Sequence, residues 1–268
     1  MTLATATIAN AQSSPGELAE AALTAIFHDY DAATAERLIA EDYIQHNPAV
    51  PTGRAPVLGF IPALADSGIQ VTIHRVIEDG DYAVVHSTYA NASLFGADEL
   101  VAFDVFRVED GVLAEHWDNL APLAPPNPSG HSQVDGPTAV SNLDETAANK
   151  ALVTDFIDTI LVRGEMGRLG EFFDGDNYIQ HNPQIGDGLT GLGAALQALA
   201  ADGITMVYDN VHLVVAEGNF VFAMSEGSFG GQPTAFFDLF RVANGRIAEH
   251  WDVISEIPAE MAHDNGKF

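Results

Sequence analysis

Tyr43-Ile44-Gln45-His46-Asn47-Pro48 recurs without change as Tyr178-Ile179-Gln180-His181-Asn182-Pro183, 135 positions further on. A second stretch repeats at nearly the same interval. Phe103-Asp104-Val105-Phe106-Arg107-Val108, closing with Ala114-Glu115-His116-Trp117-Asp118, returns as Phe237-Asp238-Leu239-Phe240-Arg241-Val242 and Ala248-Glu249-His250-Trp251-Asp252. Two blocks in the same order at a matching offset describe a duplicated domain, because solenoid repeats run only ~20–50 residues. The length of 268 residues agrees, being about twice a ~150-residue domain. The expected organisation is a disordered start (1–14), a first domain (15–120), a linker rich in Pro, Gly, Ser and Asp (121–145), a second domain (146–258) and a tail (259–268).

Within each copy the hydrophobic period changes from helical to alternating. Ser14-Pro15-Gly16-Glu17 has capping-box spacing with Pro at the first helical position, and Leu18, Ala22, Ile26 and Phe27 follow at helical intervals. A second short helix is expected after Asp31, carrying Leu38 and Ile39, and the YIQHNP segment follows as a loop. A third helix spans about 55–65 (192–201 in the second copy) and closes at Ser67-Gly68 or Asp202-Gly203. From there the pattern alternates over 71–77, 82–89, 100–108 and 112–120. Helices followed by a run of strands predict an α+β fold, with helices packed on a curved antiparallel sheet and a cavity between the layers.

Composition removes several function classes. The chain has 10 Lys and Arg against 38 Asp and Glu, a net charge of −28, which opposes nucleic acid and anionic membrane surfaces as partners. It has no Cys, so thiolate metal sites and Cys nucleophiles are out. No apolar run reaches the ~18 residues of a membrane span, and the N-terminus lacks the basic and apolar regions of a signal peptide, so a cytoplasmic location is expected. Gly-x-Ser-x-Gly is absent, so a Ser nucleophile of that kind is not expected, and neither is dinucleotide binding.

The last two strands meet at Asp110-Gly111, and at Asn244-Gly245 in the second copy. A three-residue loop, with Val108 facing Val112, sets Asp104 opposite His116 and Asp238 opposite His250, on one sheet face. Phe103, Val105, Arg107, Leu113, Glu115 and Trp117 then share the other face. A carboxylate beside an imidazole under a layer of helices is a general acid–base unit, able to take a proton from a carbon acid. His46, Asn47 and His86, with Asp118, are expected to line the first site as substrate-binding groups. His181, Asn182, Glu226 and Asp252 are expected in the second, where Met224 replaces His86. No HxH or HxxxH pair presets two ligands on one element, so no metal and no cofactor is expected.

The YIQHNP segment, the D-[VL]-F-R-V strand and the G-x-[LI]-A-E-H-W-D strand together resemble the SnoaL-like polyketide cyclase family, within the nuclear transport factor 2-like superfamily of cone-shaped α+β folds. The resemblance covers both copies. It implies two tandem cone-shaped domains and aldol-type ring closure on a small, largely apolar carbonyl compound without cofactor or metal. The family's acid–base Asp falls on Asp104 and Asp238, and its assisting His falls on His86; from the hairpin pairing, His116 and His250 are expected to orient the Asp. Single-copy relatives dimerise through the outer sheet face. Phe103, Val105 and Trp117 are therefore expected to meet Phe237, Leu239 and Trp251 in an intramolecular pseudo-dimer, with a further homo-oligomer left open. The superfamily also holds isomerases, lyases and non-catalytic small-molecule binding proteins.

Overall fold

The computed structural model describes residues 13–268, so all but the last two residues of the start expected to be disordered lie outside the described chain. Helix α1 (Pro15–Phe27) opens on the expected capping box: Glu17 N–H donates to Ser14 Oγ at 3.3 Å, and Ser14 N–H donates to Glu17 Oε2 at 3.1 Å. In α2 (Ala32–Leu38) the Asp31 carboxylate accepts from the amides of Ala33 and Thr34. At Ile39 the backbone turns extended and strand β1 (Ile39–Gln45) begins, so part of the supposed YIQHNP loop is strand. The third helix, α3 (Arg54–Ser67), ends at Gly68, whose φ of 68° suits a residue without a Cβ. Strands β2 (Gln70–Asp79), β3 (Tyr82–Ala90), β4 (Glu99–Glu109) and β5 (Val112–Pro122) complete the first half.

The second half follows this order except at α2, whose place is taken by a π-helical turn (Ile157–Val162) and a 3-10 turn (Met166–Glu171). Its elements are α4 (Thr146–Phe156), β6 (Ile179–Gln180), α5 (Gly188–Ala201), β7 (Met206–Glu217), β8 (Phe220–Phe229), β9 (Gln232–Ala243) and β10 (Arg246–Glu256). The two five-stranded sheets have the orders β1-β5-β4-β3-β2 and β6-β10-β9-β8-β7. Both are mixed, not wholly antiparallel, because β1 and β6 lie parallel to β5 and β10. Each half is an α+β unit.

The β4–β5 register differs from the expectation by two residues. The loop has two residues, Asp110 (φ 51°) and Gly111 (φ 79°), both left-handed as a type I′ turn requires. A two-residue loop alone would set Asp104 opposite Trp117. A bulge between Arg107 and Val108 on the pairing ladder adds one residue on β5 and shifts the facing pair to Asp104 and Asp118, with His116 opposite Phe106. The second hairpin does the same, pairing Asp238 with Asp252 and Phe240 with His250. Two slips of one residue restore the original face, so Asp and His are diagonal neighbours. The bulge also sends Leu113 to the helix side, where it is fully buried in the first core.

Apolar side chains form three layers. One cluster lies between α1–α3 and the inner face of the first sheet, and another fills the same space in the second half. The third lies between the two sheets: Phe103, Val105 and Trp117 are buried with Phe222, Phe237, Leu239 and Trp251. The halves thus pack sheet against sheet within one chain. Asn119, fully buried there, donates from Nδ2 to the carbonyls of Ala235 (3.1 Å) and Val253 (2.7 Å).

The segments following β5 and β10 cross to the opposite half. Asn127 Nδ2 donates to the Gln180 carbonyl at 2.6 Å, and Asn265 Nδ2 donates to the Gln45 carbonyl at 2.9 Å. Each strap therefore caps the end of the other half's parallel strand, which is more than a linker or a tail needs to do. No helix among the described residues is long and apolar enough to cross a membrane.

Candidate acid–base site

Strand β1 ends beside β5, pairing Gln45 with His116, and this places the Gln45 side chain against the imidazole. Gln45 Oε1 accepts from the amides of His46 (2.9 Å) and Asn47 (2.8 Å), which identifies it as the carbonyl oxygen of that side chain. His116 Nδ1 lies 2.9 Å from the same oxygen and must donate to it. Its Nε2 is 3.2 Å from Asp104 Oδ1. An imidazole that already donates from Nδ1 bonds a carboxylate through Nε2 only when the pair carries one more proton, on the ring or on the acid. The second half repeats each contact. Gln180 Oε1 accepts from His181 and Asn182 amides at 2.9 Å and faces His250 Nδ1 at 3.1 Å, while His250 Nε2 is 2.9 Å from Asp238 Oδ1.

In the second half the surroundings favour that proton. Asp104 and Asp238 are buried, at 4% and 2% exposed, and the imidazoles stack on Phe106 and Phe240 at 4.7 Å. Asp118 and Asp252 stand opposite the first carboxylates and are held by the Asn47 and Asn182 side-chain amides. Burial pushes the Asp252 carboxyl above its ordinary range, with His250 opposing and Asp238 reinforcing that push. Burial alone would depress the His250 pKa, but its hydrogen bond to Asp238 and the charges of Asp252 and Asp238 outweigh it, and the net shift is upward. Lys267 Nζ donates to the Asp118 carbonyl at 2.6 Å and stands 3.5 Å from its carboxylate; the second site has no such lysine, since the chain's other one, Lys150, pairs with Asp79.

Each carboxylate has a tyrosine that the sequence reading missed. Tyr89 Oη donates to Asp104 Oδ2 at 2.9 Å, and Ser87 Oγ reaches the same oxygen at 3.3 Å. In the second half the position facing Thr234, equivalent to Tyr89, is Gly227, and the phenol comes from the neighbouring strand: Tyr208 Oη lies 3.2 Å from Asp238 Oδ2. Tyr208 pairs with Gly227 as Val71 pairs with Tyr89, so the tyrosine has changed strands while its hydroxyl has kept its partner. A Cβ on Gly227 would come within 1.9 Å of the Val207 carbonyl, so this close approach requires glycine. Burial and the neighbouring aspartates push both phenols well above their ordinary pKa, which keeps them donors.

Four expected site residues lie elsewhere. His46 stacks on Trp117 at 4.9 Å on the inter-sheet side, its nitrogens facing the Gly266 carbonyl and Glu115. His181 stacks on Trp251 at 4.5 Å, against Glu249. Both turn away because Gln45 and Gln180, the preceding residues, take the inward positions at the strand ends. His86 faces Phe103 between the sheets, stacked at 4.3 Å, since inward positions on β3 are Val85, Ser87 and Tyr89. Glu226, on the Met224 side of β8, is a partly exposed partner of His212 at 3.0 Å. The groups brought together are thus Asp104, His116, Asp118 and Asn47, and Asp238, His250, Asp252 and Asn182. Within each trio of Asp, His and Asp, ligand atoms lie within 4.8 Å of one another, a donor set that a divalent cation accepts. Two surface hollows of about 460 and 570 Å³ lie over α1–α2 and over α4 and include none of these residues.

A model of the SnoaL-like domain matches residues 19–116 and again 153–250. The chain belongs to this SnoaL-like family, as a tandem of two family domains. Among solved structures, TsrD from Streptomyces laurentii is similar at 25% identity and a TM-score of 0.33, over 38% of this chain and 84% of that one. An NTF2-like protein of unknown function from Cytophaga hutchinsonii ATCC 33406 matches at 11% identity and a TM-score of 0.36, over 42% and 96% of the two chains. An LEH-like epoxide hydrolase of M. tuberculosis matches at 19% and 0.33, over 40% and 82%. No curated protein matches the chain.

Proposed function

We propose that this chain is a cofactor-independent acid–base enzyme, of aldol cyclase, isomerase or lyase type, that removes a proton from carbon beside the carbonyl of a small, largely apolar compound. The single observation that carries this reading is the glutamine-fixed imidazole beside a buried carboxylate, built twice. Asp104 and Asp238 act as bases in their ionised form, and His116 and His250 orient them and hold the shared proton. Tyr89 and Tyr208 donate to these carboxylates, and each hydroxyl is released to turn to a developing oxyanion once its aspartate has taken the substrate proton. His46, His86, His181 and Glu226 have no part in this chemistry.

The test is exchange of carbon-bound protons in D2O, followed by NMR over a panel of cyclic ketones and 1,3-dicarbonyl compounds. The wild-type chain should accelerate exchange of at least one class, and the Asp104→Asn/Asp238→Asn variant should lose about 10²–10⁴-fold of it. An unchanged rate in that variant contradicts the assignment of the base. Ligand binding without exchange in any compound favours a non-catalytic binding protein. The Asp–His–Asp trios support a second reading, a divalent cation as Lewis acid, which fails if chelator-treated protein keeps its full rate.

A further inference from the structure

We propose that His131, Asp135 and His181 form a binding site for a borderline divalent cation of the Zn2+ class, where the strap after β5 meets the second half. His181 is almost wholly buried, and its Nε2 faces Glu249 Oε1 at 2.8 Å. Glu249 is itself buried and held through its other oxygen by Arg241 Nε at 2.6 Å. His181 Nδ1 then points at two oxygens, the Ser132 carbonyl and Asp135 Oδ1, each at 2.7 Å. With Nε2 engaged by a carboxylate, a nitrogen and two oxygens converge on a spot that only a cation suits, a proton or a metal.

His131 supplies the second imidazole. Its ring centre is 5.4 Å from that of His181, and its Nδ1 is 3.8 Å from Asp135 Oδ2. Its far nitrogen, Nε2, meets Asp187 Oδ2 at 3.1 Å. Both imidazoles thus turn Nδ1 to the same carboxylate and Nε2 to a separate one, the outer partnership that fixes the tautomer and raises the basicity of metal-bound histidines. Ligand atoms of the three residues lie within 4.8 Å of one another. Donors around tetrahedral zinc stand ~3.3 Å apart at its usual bond lengths, so small rotations suffice. Two imidazoles and one carboxylate favour Zn2+, Co2+ or Ni2+ over Mg2+ or Ca2+, which prefer all-oxygen shells. Among the described residues the first half has no equivalent donor set: His263 stands beside His46, ring centres 6.3 Å apart, but the His46 nitrogens meet the Gly266 carbonyl and Glu115, with no carboxylate shared by the two rings.

The site is tested by equilibrium dialysis of the full, metal-stripped chain against Zn2+, with Co2+ absorption as a second readout. One tight equivalent is expected, giving visible bands of a low-coordinate Co2+ site. His131→Gln should weaken it by tenfold or more while leaving the far-ultraviolet spectrum unchanged. Asp118→Asn/Asp252→Asn should keep that equivalent, which separates it from any ion at the Asp–His–Asp trios. Zn2+ binding of the same number and strength in His131→Gln, or no stoichiometric binding to wild type, overturns the proposal.

Discussion

A buried imidazole is a poor place for positive charge, yet His250 holds its proton more firmly than an exposed histidine because Asp238 and Asp252 face it. Its NMR titration should therefore centre above the ordinary value of about 6.5, and in Asp238→Asn it should fall, since burial is then less opposed. The stability consequence has a definite sign. With the folded pKa above the unfolded one, the contribution of His250 is complete below about pH 6.5 and is lost as pH rises through the raised value. Urea midpoints measured across that window should decline in wild type, and less so in Asp238→Asn. The tyrosines belong to the same scale. Tyr208→Phe removes one donor from Asp238 and should cost about 1–3 kcal/mol by denaturant unfolding.

Among the elements, α3 and α5 occupy equivalent places but are seated differently. The first buries Ile61 and Leu64, whereas the one buried residue of α5 is Gly188. Amide exchange should accordingly be faster over 188–201 than over 54–67, and equal protection of the two helices contradicts this difference in seating. Element boundaries were legible wherever local chemistry dictates them: the Ser14 capping box, the Gly68 stop, the alternation of the strands. The repeat itself announced the doubled architecture, and the Asp-His face of the last hairpin was readable from its period of two. The bulge between Arg107 and Val108 was not, because no residue type marks it; the face survived only because a shorter loop and a bulge cancel. His46 and His181 were misplaced for a related reason, since a short parallel strand inside the YIQHNP segment decides which neighbour points inward. Tyr208 was hidden because its partner, Gly227, lies on another strand and reads as a turn residue in sequence.

Across the whole molecule, the two sheets bury a histidine between them. His86 lies against Phe103 with Arg75 Nη1 3.1 Å from its Nδ1, and burial together with the charges of Arg75, His74 and His181 pushes its pKa well below the ordinary value. The groups around it favour the neutral ring. Here the sign is opposite to that of His250: as pH falls below about 6.5 the unfolded chain gains a proton the folded one refuses, so stability drops. His86→Leu should flatten the acid limb of a urea-midpoint profile between pH 6.5 and 4.5, and an unchanged limb would assign it to other groups. The inter-sheet layer also explains the tandem form. Phe103, Trp117, Phe237 and Trp251 would lie on an exposed apolar face in a lone half, and joining two halves in one chain covers it at any concentration.

The proton held between Asp and His is most directly observed by long-range 1H–15N correlation of the His116 and His250 side chains near neutral pH. The shifts should show Nδ1 protonated in both rings, bonded to the Gln45 and Gln180 oxygens, and a second proton on Nε2 or shared with the aspartate. A neutral ring with Nδ1 unprotonated in either site would contradict the account, because the glutamine could not then fix the pair.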